Sequence, residues 1–211
     1  MTNSKMTQLY LISPPQISLD QFLPELDAAL GTGLVSVFQL RLKDMPMVAI
    51  ERTVEPICDM CHGYDVPLII NNYVDLAHRY DCDGVHLGQS DMPYAEARQI
   101  LGPNKMIGVT CHDSKDLAFK AAEAGADYVA FGAFYPTKTK DSGYRPTLDL
   151  LRDWVELTTI PCVAIGGITP ENCKPIVDAG ADFIAVISAV WDHDNGPKAG
   201  IEAFKPYISS I

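Results

Sequence analysis

The sequence predicts an α/β chain folded as a single (β/α)8 TIM barrel with a parallel eight-stranded core, one domain over residues 1–211. Three observations predict it. Eight short apolar runs alternate with helix-like stretches along the chain, which is the pattern of parallel β/α architecture. The segment EAGADYVAFG (123–132) returns as DAGADFIAVI (178–187), each a helix end, a glycine turn, Ala-Asp and then a strand. Finally, 211 residues at 47% hydrophobic content, without a low-complexity tract, fit one large core and leave little for a second. An open doubly wound sheet more often has about five or six strands, so the count favours a closed barrel.

In chain order, strands are expected at LYLIS (9–13), VSVFQLR (35–41), PLIIN (67–71), GVHLG (84–88), MIGVT (106–110), YVAFG (128–132), PCVAIG (161–166) and FIAVI (183–187). Within FQLRLK, strand alternation puts Gln39, Arg41 and Lys43 on one side and Phe38, Leu40 and Leu42 on the other. Helices are expected between the strands. MVAIERTVEPICDMCHGYD reads as one of them. In SKDLAFKAAEAGA, Leu117, Ala121 and Ala124 share a face. TPENCKPIVDAGA opens with Thr169 as N-cap and Pro170 at the first helical position. Gly125 and Gly180 suit left-handed C-caps.

Charge narrows the function. Sixteen Lys and Arg against 27 Asp and Glu give a net charge of -11, without a basic stripe, so nucleic acid and anionic membranes are not expected partners. The N-terminal MTNSKMTQLYLISPPQ lacks a basic flank with an apolar core, and no run reaches the roughly 18 apolar residues of a membrane span, so a cytoplasmic protein is expected. Six scattered cysteines (58, 61, 82, 111, 162 and 173) suit reduced thiols rather than a disulfide scaffold. CDMCH (58–62) spells the haem-attachment pattern, but it lies in a helix-like stretch, with no export signal and no second Cys pair for zinc.

A barrel carries its functional residues at the C-terminal ends of its strands. Those positions hold Gln39, Arg41 and Lys43; Asn71 and Asn72; Gln89 and Asp91; Thr110 and His112; Thr137, Lys138, Thr139 and Lys140; Gly166 and Gly167; and Ser188. Cations, amides and hydroxyls gathered in an acidic chain point to a negatively charged ligand. In AIGGITPEN, two glycines let backbone N–H groups approach an anion, and ISAV supplies amides after the last strand. Phosphate sites after strands seven and eight recur in such barrels. Asp91, just ahead of Pro93, reads either as a helix cap or as a ligand for Mg²⁺, which takes few carboxylates and completes its shell with water and phosphate. Cys111 and His112 are adjacent on a strand and point to opposite faces, which argues against a thiol–imidazole pair. His112 is expected to make contacts or pack.

The ordered segments FQLRLK, IINNYVDLA, DGVHLGQSD, IGVTCH, YPTKTK, AIGGIT and ADFIAVISAVW resemble the signature segments of the thiamine-phosphate synthase family, over roughly residues 8–191. The resemblance implies a (β/α)8 barrel that joins a hydroxymethylpyrimidine diphosphate to a thiazole phosphate with Mg²⁺ and releases pyrophosphate. It places the family's Q-x-R-x-K on Gln39, Arg41 and Lys43 and its strand-three Asn on Asn71, all holding the pyrimidine and its diphosphate. Asp91 matches the Q-x-D magnesium ligand, and Thr110 the strand-five hydroxyl, where Ser is common. The T-x-T-K set falls on Thr137 and Thr139, assigned to the thiazole phosphate, and on Lys140, assigned to the diphosphate; Gly167, Ile187 and Ser188 match the rest of the phosphate cradle. Arg41, Lys43 and Lys140 are the implied catalytic cations.

One departure stands out. The family's first strand-three Asp, a metal ligand, is Asn72 here, a donor without charge. The segment after TKTK is also short, and Arg145 is a candidate to compensate. Two rivals therefore stay open: a thiazole tautomerase-like isomerase, which needs no diphosphate set, and a non-catalytic binder of phosphorylated ligands that has lost its metal. Whether the chain forms a homo-oligomer is left open.

Overall fold

The computed structural model describes residues 6–137 and 143–209. Its strands are β1 (Gln8–Ile12), β2 (Val35–Leu40), β3 (Leu68–Asn71), β4 (Gly84–Leu87), β5 (Met106–His112), β6 (Tyr128–Gly132), β7 (Cys162–Ile165) and β8 (Phe183–Val186). They pair in sequence order, and β8 returns to β1 in parallel to close the barrel, with Leu9 opposite Ile184. Each expected strand is present within two residues of its expected bounds. Around them run α1 (Leu19–Leu30), α2 (Met47–Gly63), α3 (Val74–Arg79), α4 (Tyr94–Leu101), α5 (Lys115–Ala124), α6 (Leu148–Leu157) and α7 (Lys174–Asp178). Two further helices, α8 (Ser188–Trp191) and α9 (Gly196–Glu202), follow β8.

Strand alternation divides the core into two layers. Leu9, Leu11, Phe38, Leu40 and Phe131 join the layer under the helices, with Trp154 and Phe204. Tyr10, Ile12, Val37, Ile69, Tyr128, Ala130, Val163 and Ala185 fill the barrel interior. In β2 the alternation is interrupted. Leu9 pairs with Val35 and Tyr10 with Val37, so Ser36 is an extra residue that lets Val35 face outward and Val37 inward. The Ser36 hydroxyl oxygen is buried without a hydrogen-bond partner among the described residues.

Local chemistry starts and stops the helices. Ser114 Oγ accepts from Leu117 N at 3.2 Å to cap α5, and Thr147 Oγ1 accepts from Leu150 N at 3.3 Å to cap α6. Gly125 ends α5 at φ 101°, and Gly180 follows α7 at φ 91°, both left-handed as expected. Two expectations are corrected. Ala124 is exposed, because the buried face of α5 runs through Ala118 and Ala121 with Leu117 beside them. Thr169 does not cap α7: Asn172 Oδ1 accepts from Thr169 N at 2.8 Å, closing a separate turn, and the helix begins at Lys174.

At the N-terminal end of the barrel a device repeats. Asp83, Asp127 and Asp182, each just before or at a strand start, accept from the backbone N–H of Leu68, Ile107 and Cys162 at 2.8, 2.7 and 2.8 Å. The Gly-Ala-Asp echo is thus two of three carboxylates that hold the preceding strand's first free amide. CDMCH lies in α2, as expected, with Cys58 and Cys61 buried in the core and both thiols pushed up by desolvation. That burial denies a haem group access to them. Among the described residues, no helix is long and apolar enough to cross a membrane.

Candidate active site

The C-terminal ends of the strands open into a cavity of about 560 Å³, a size suited to small organic ligands. Gln39, Arg41 and Lys43 line it from the end of β2, Asn71 and Asn72 from β3, and Gly88 to Asp91 from the loop after β4. Thr110 and His112 enter from β5, Thr137 from the segment after β6, Gly166 and Gly167 after β7, and Ile187 and Ser188 after β8. Those candidates therefore meet at one mouth. Lys138, Thr139 and Lys140 lie outside the described residues. Arg145 is exposed and does not line the cavity; its Nη1 donates to Tyr144 O at 2.8 Å, which corrects the compensating role expected of it.

Each side chain is held by its strand's local bonding. Beyond the end of β1, Ser13 N donates to Gln39 O at 2.9 Å and Ser13 Oγ accepts from Arg41 N at 2.9 Å, so a hydroxyl extends the ladder and keeps Gln39, Arg41 and Lys43 in register. Gln39 is buried; Arg41 is half-buried, and desolvation lowers its guanidinium pKa from the ordinary value. An arginine so placed stays charged. Asn72 turns out of β3 at φ 67°, donating its N–H to His86 O at 2.9 Å; Asn and Asp tolerate this left-handed geometry well.

Asp91 is not a helix cap. The N-cap of α4 is Pro93, and Asp91 Oδ2 instead accepts from Gly88 N at 2.6 Å, closing the β4 loop and leaving Oδ1 without a partner among the described residues. A Cβ on Gly88 would fall 2.8 Å from Oδ2, so the glycine admits this contact. Asp91 is the only carboxylate among the described lining residues, against Arg41 and Lys43, so the mouth is cationic in a chain of net charge -11.

The glycine pair after β7 has a different function from the one expected. Gly166 (φ 105°) and Gly167 (φ 62°) do line the cavity, but a Cβ on them would strike Ala133 Cβ at 2.3 Å and Pro136 O at 2.4 Å. Their missing side chains admit the segment after β6, which carries Thr137. Tyr135 N donates to Gly166 O at 3.0 Å, Tyr135 OH to Asn172 O at 2.8 Å, and Asn172 Nδ2 to Gly167 O at 2.9 Å. Asn172 and Tyr135 thus brace the two loops against each other. Asn172 had no signal beyond its place in a Thr-Pro-x-Asn turn.

Below the mouth, Tyr10, His86 and Tyr128 form the floor, with burial holding both phenols well above the ordinary tyrosine value. Gln39 Nε2 donates to Tyr10 OH at 2.9 Å, and Tyr10 OH lies 2.8 Å from Tyr128 OH. His86 Nδ1 lies 3.0 Å from Tyr128 OH, and its Nε2 2.7 Å from Thr110 Oγ1. None of the three stood out in the sequence, being enclosed by apolar neighbours; the available signal was an O–H or N–H at an inward strand position. His112 lines the mouth and stacks on Tyr144 with centroids 4.0 Å apart, as a contact residue. Cys111 points into the outer core, where burial raises its thiol to about 12, too high for a nucleophile at neutral pH.

The family model described as thiamine monophosphate synthase matches residues 9–190. The chain belongs to the thiamine monophosphate synthase family. Thiamine-phosphate synthase of Rhodospirillum centenum is 51% identical over 197 residues, covering 93% of this chain and 95% of that protein. The enzyme of that name from Erythrobacter litoralis is 50% identical, covering 97% and 96%. Among solved structures, thiamine phosphate pyrophosphorylase from Pyrococcus furiosus superposes with a TM-score of 0.83 at 32% identity, covering 97% of this chain and 96% of that one. The family's barrel is therefore present in full, with its cationic mouth.

Proposed function

We propose that the chain is a thiamine-phosphate synthase, a transferase that condenses hydroxymethylpyrimidine diphosphate with thiazole phosphate to give thiamine phosphate and pyrophosphate. The observation that carries this reading is the convergence of Gln39, Arg41, Lys43, Asn71 and Thr110 on one cavity with Thr137, Gly167, Ile187 and Ser188 on its opposite rim in chain order. The first group holds the pyrimidine and its diphosphate, and the second, with Thr139, the thiazole phosphate. Lys140 joins Arg41 and Lys43 on the leaving diphosphate.

The metal's donor set is sparse. Among the described residues no group of three or more His, Cys, Asp and Glu could hold a metal ion. Asp91 Oδ1 and the Asn72 side-chain oxygen nevertheless fit Mg²⁺, a hard cation that completes its shell with water and substrate phosphate rather than with an all-protein cage. When bound with the diphosphate, Mg²⁺ spreads the charge of the leaving group.

The protein's own part is electrostatic. Breaking the carbon–oxygen bond to the diphosphate leaves a pyrimidine-stabilised carbocation, which the thiazole nitrogen captures. Arg41, Lys43 and Lys140 stabilise the charge that develops on the leaving oxygen, and the walls keep water from the cation. No general base is required, in keeping with a mouth that has a single described carboxylate. The protein acts on small phosphorylated molecules and, with its acidic charge, works in the cytoplasm.

Incubating the purified chain with both substrates, with Mg²⁺ and with chelator, tests the proposal. Thiamine phosphate formed only with both substrates and Mg²⁺ supports it. Isomerised thiazole phosphate without coupling would favour the tautomerase, and ligand binding without any product would favour the binder.

A further inference from the structure

We propose that Tyr10, Tyr128 and His86 are positioning residues that fix which end of the pyrimidine pocket donates a hydrogen bond and which accepts one. The proposal rests on the reading that Gln39 and Thr110 hold the pyrimidine. Its basis is an unbroken row of hydrogen bonds across the barrel floor, Gln39–Tyr10–Tyr128–His86–Thr110, with steps of 2.9, 2.8, 3.0 and 2.7 Å. Tyr10 is 2% exposed, Tyr128 7% and His86 8%, so water does not substitute for a missing partner.

Each hydroxyl has one proton to give, which makes the row directional. Gln39 Nε2 donates to Tyr10 OH, so the Tyr10 proton goes to Tyr128. The Tyr128 proton then goes to His86 Nδ1, which must be bare. The imidazole proton therefore sits on Nε2 and is donated to Thr110 Oγ1. Thr110 is left with its own proton directed into the cavity, and Gln39 with its carbonyl oxygen. Any single reversal would set two protons, or two lone pairs, against each other in a buried site, so the whole row carries one sense. It presents an acceptor on the β2 side and a donor on the β5 side. The complement is a heteroaromatic ring with an exocyclic N–H and an unprotonated ring nitrogen, and an isostere with those roles exchanged meets two mismatches.

The imidazole tautomer reads out the sense directly. In 15N-histidine-labelled protein at pH about 8.5, some two units above the ordinary imidazole value, two-bond proton–nitrogen spectra should show His86 with bare Nδ1 and protonated Nε2. A His86→Gln sample assigns the signals. In Tyr128→Phe the shifts of the two nitrogens should move towards each other, and KM for the pyrimidine diphosphate should rise roughly three- to tenfold, as one lost hydrogen bond implies, with KM for thiazole phosphate unchanged. A protonated Nδ1 in the wild type, unmoved shifts in Tyr128→Phe, or an equal rise in both KM values would overturn the proposal. The wild-type spectrum decides it even if Tyr128→Phe fails to fold. A wild type that turns over neither substrate counts against the synthase alone, since the spectrum needs no turnover.

Discussion

Asn72 puts an uncharged oxygen where the resemblance implies a carboxylate, and its φ of 67° suits Asp equally well. Asn72→Asp should therefore leave the fold intact and strengthen the hold on Mg²⁺. We expect the half-saturating Mg²⁺ concentration for activity to fall roughly tenfold, as about 1.4 kcal/mol implies; an unchanged titration would remove residue 72 from the metal site. Arg41→Ala should lower kcat by about 10²- to 10³-fold, the usual effect of losing a transition-state charge contact. Its unfolding free energy should change by less than about 1 kcal/mol, because only the half-buried guanidinium is lost. A collapse in stability that matched the loss of rate would make Arg41 structural. Gln39, Arg41 and Lys43 were legible because alternation in FQLRLK separates them from the core residues. Tyr10 and His86 were not, since LYLIS and GVHLG read as uniformly buried strands and a polar atom aimed down the barrel axis leaves no mark on periodicity.

Among the elements, the register of β2 depends on Ser36. Its hydroxyl is buried and unpartnered among the described residues, so Ser36→Ala removes a desolvated polar atom and should be neutral or stabilising by up to about 1 kcal/mol. A marked fall in melting temperature would mean that the hydroxyl has a partner. The bulge was invisible in VSVFQLR because strict alternation describes that run equally well until its pairing with β1 is known. Gly167 makes the opposite case: Gly167→Ala drives a Cβ to 2.4 Å from Pro136 O at a φ of 62°, and the segment carrying Thr137 must move. We expect large losses of stability and activity. Gly33 has a similar φ of 66° but nothing within 4 Å of a built Cβ, so Gly33→Ala should cost only the left-handed strain of about 1–2 kcal/mol and leave kinetics unchanged. Comparable kinetic losses in both variants would refute the bracing role. The Gly-Gly turn was legible as special, but the loop it admits follows a different strand.

In the whole molecule, chemistry and stability occupy opposite ends of the barrel. The mouth holds the cations, while Asp83, Asp127 and Asp182 tie strand starts at the far end. Asp182→Ala leaves Cys162 N without this acceptor and should cost about 1–3 kcal/mol of stability with both KM values unchanged; a kinetic defect at normal stability would contradict that division. Strand number, order and the shared mouth could be read from the sequence because each unit repeats the same apolar and turn signals. The carboxylate ties could not, since an Asp before a strand looks like any turn residue until the neighbouring amide is located.

The central claim is that one mouth holds a pyrimidine diphosphate and a thiazole phosphate and joins them. Its most direct test is the stoichiometry of pyrophosphate to thiamine phosphate over a time course with wild-type protein. The account predicts one pyrophosphate for each thiamine phosphate, with neither formed when either substrate is omitted. Pyrophosphate released at the same rate without thiazole phosphate, or no thiamine phosphate at any Mg²⁺ concentration, would contradict it.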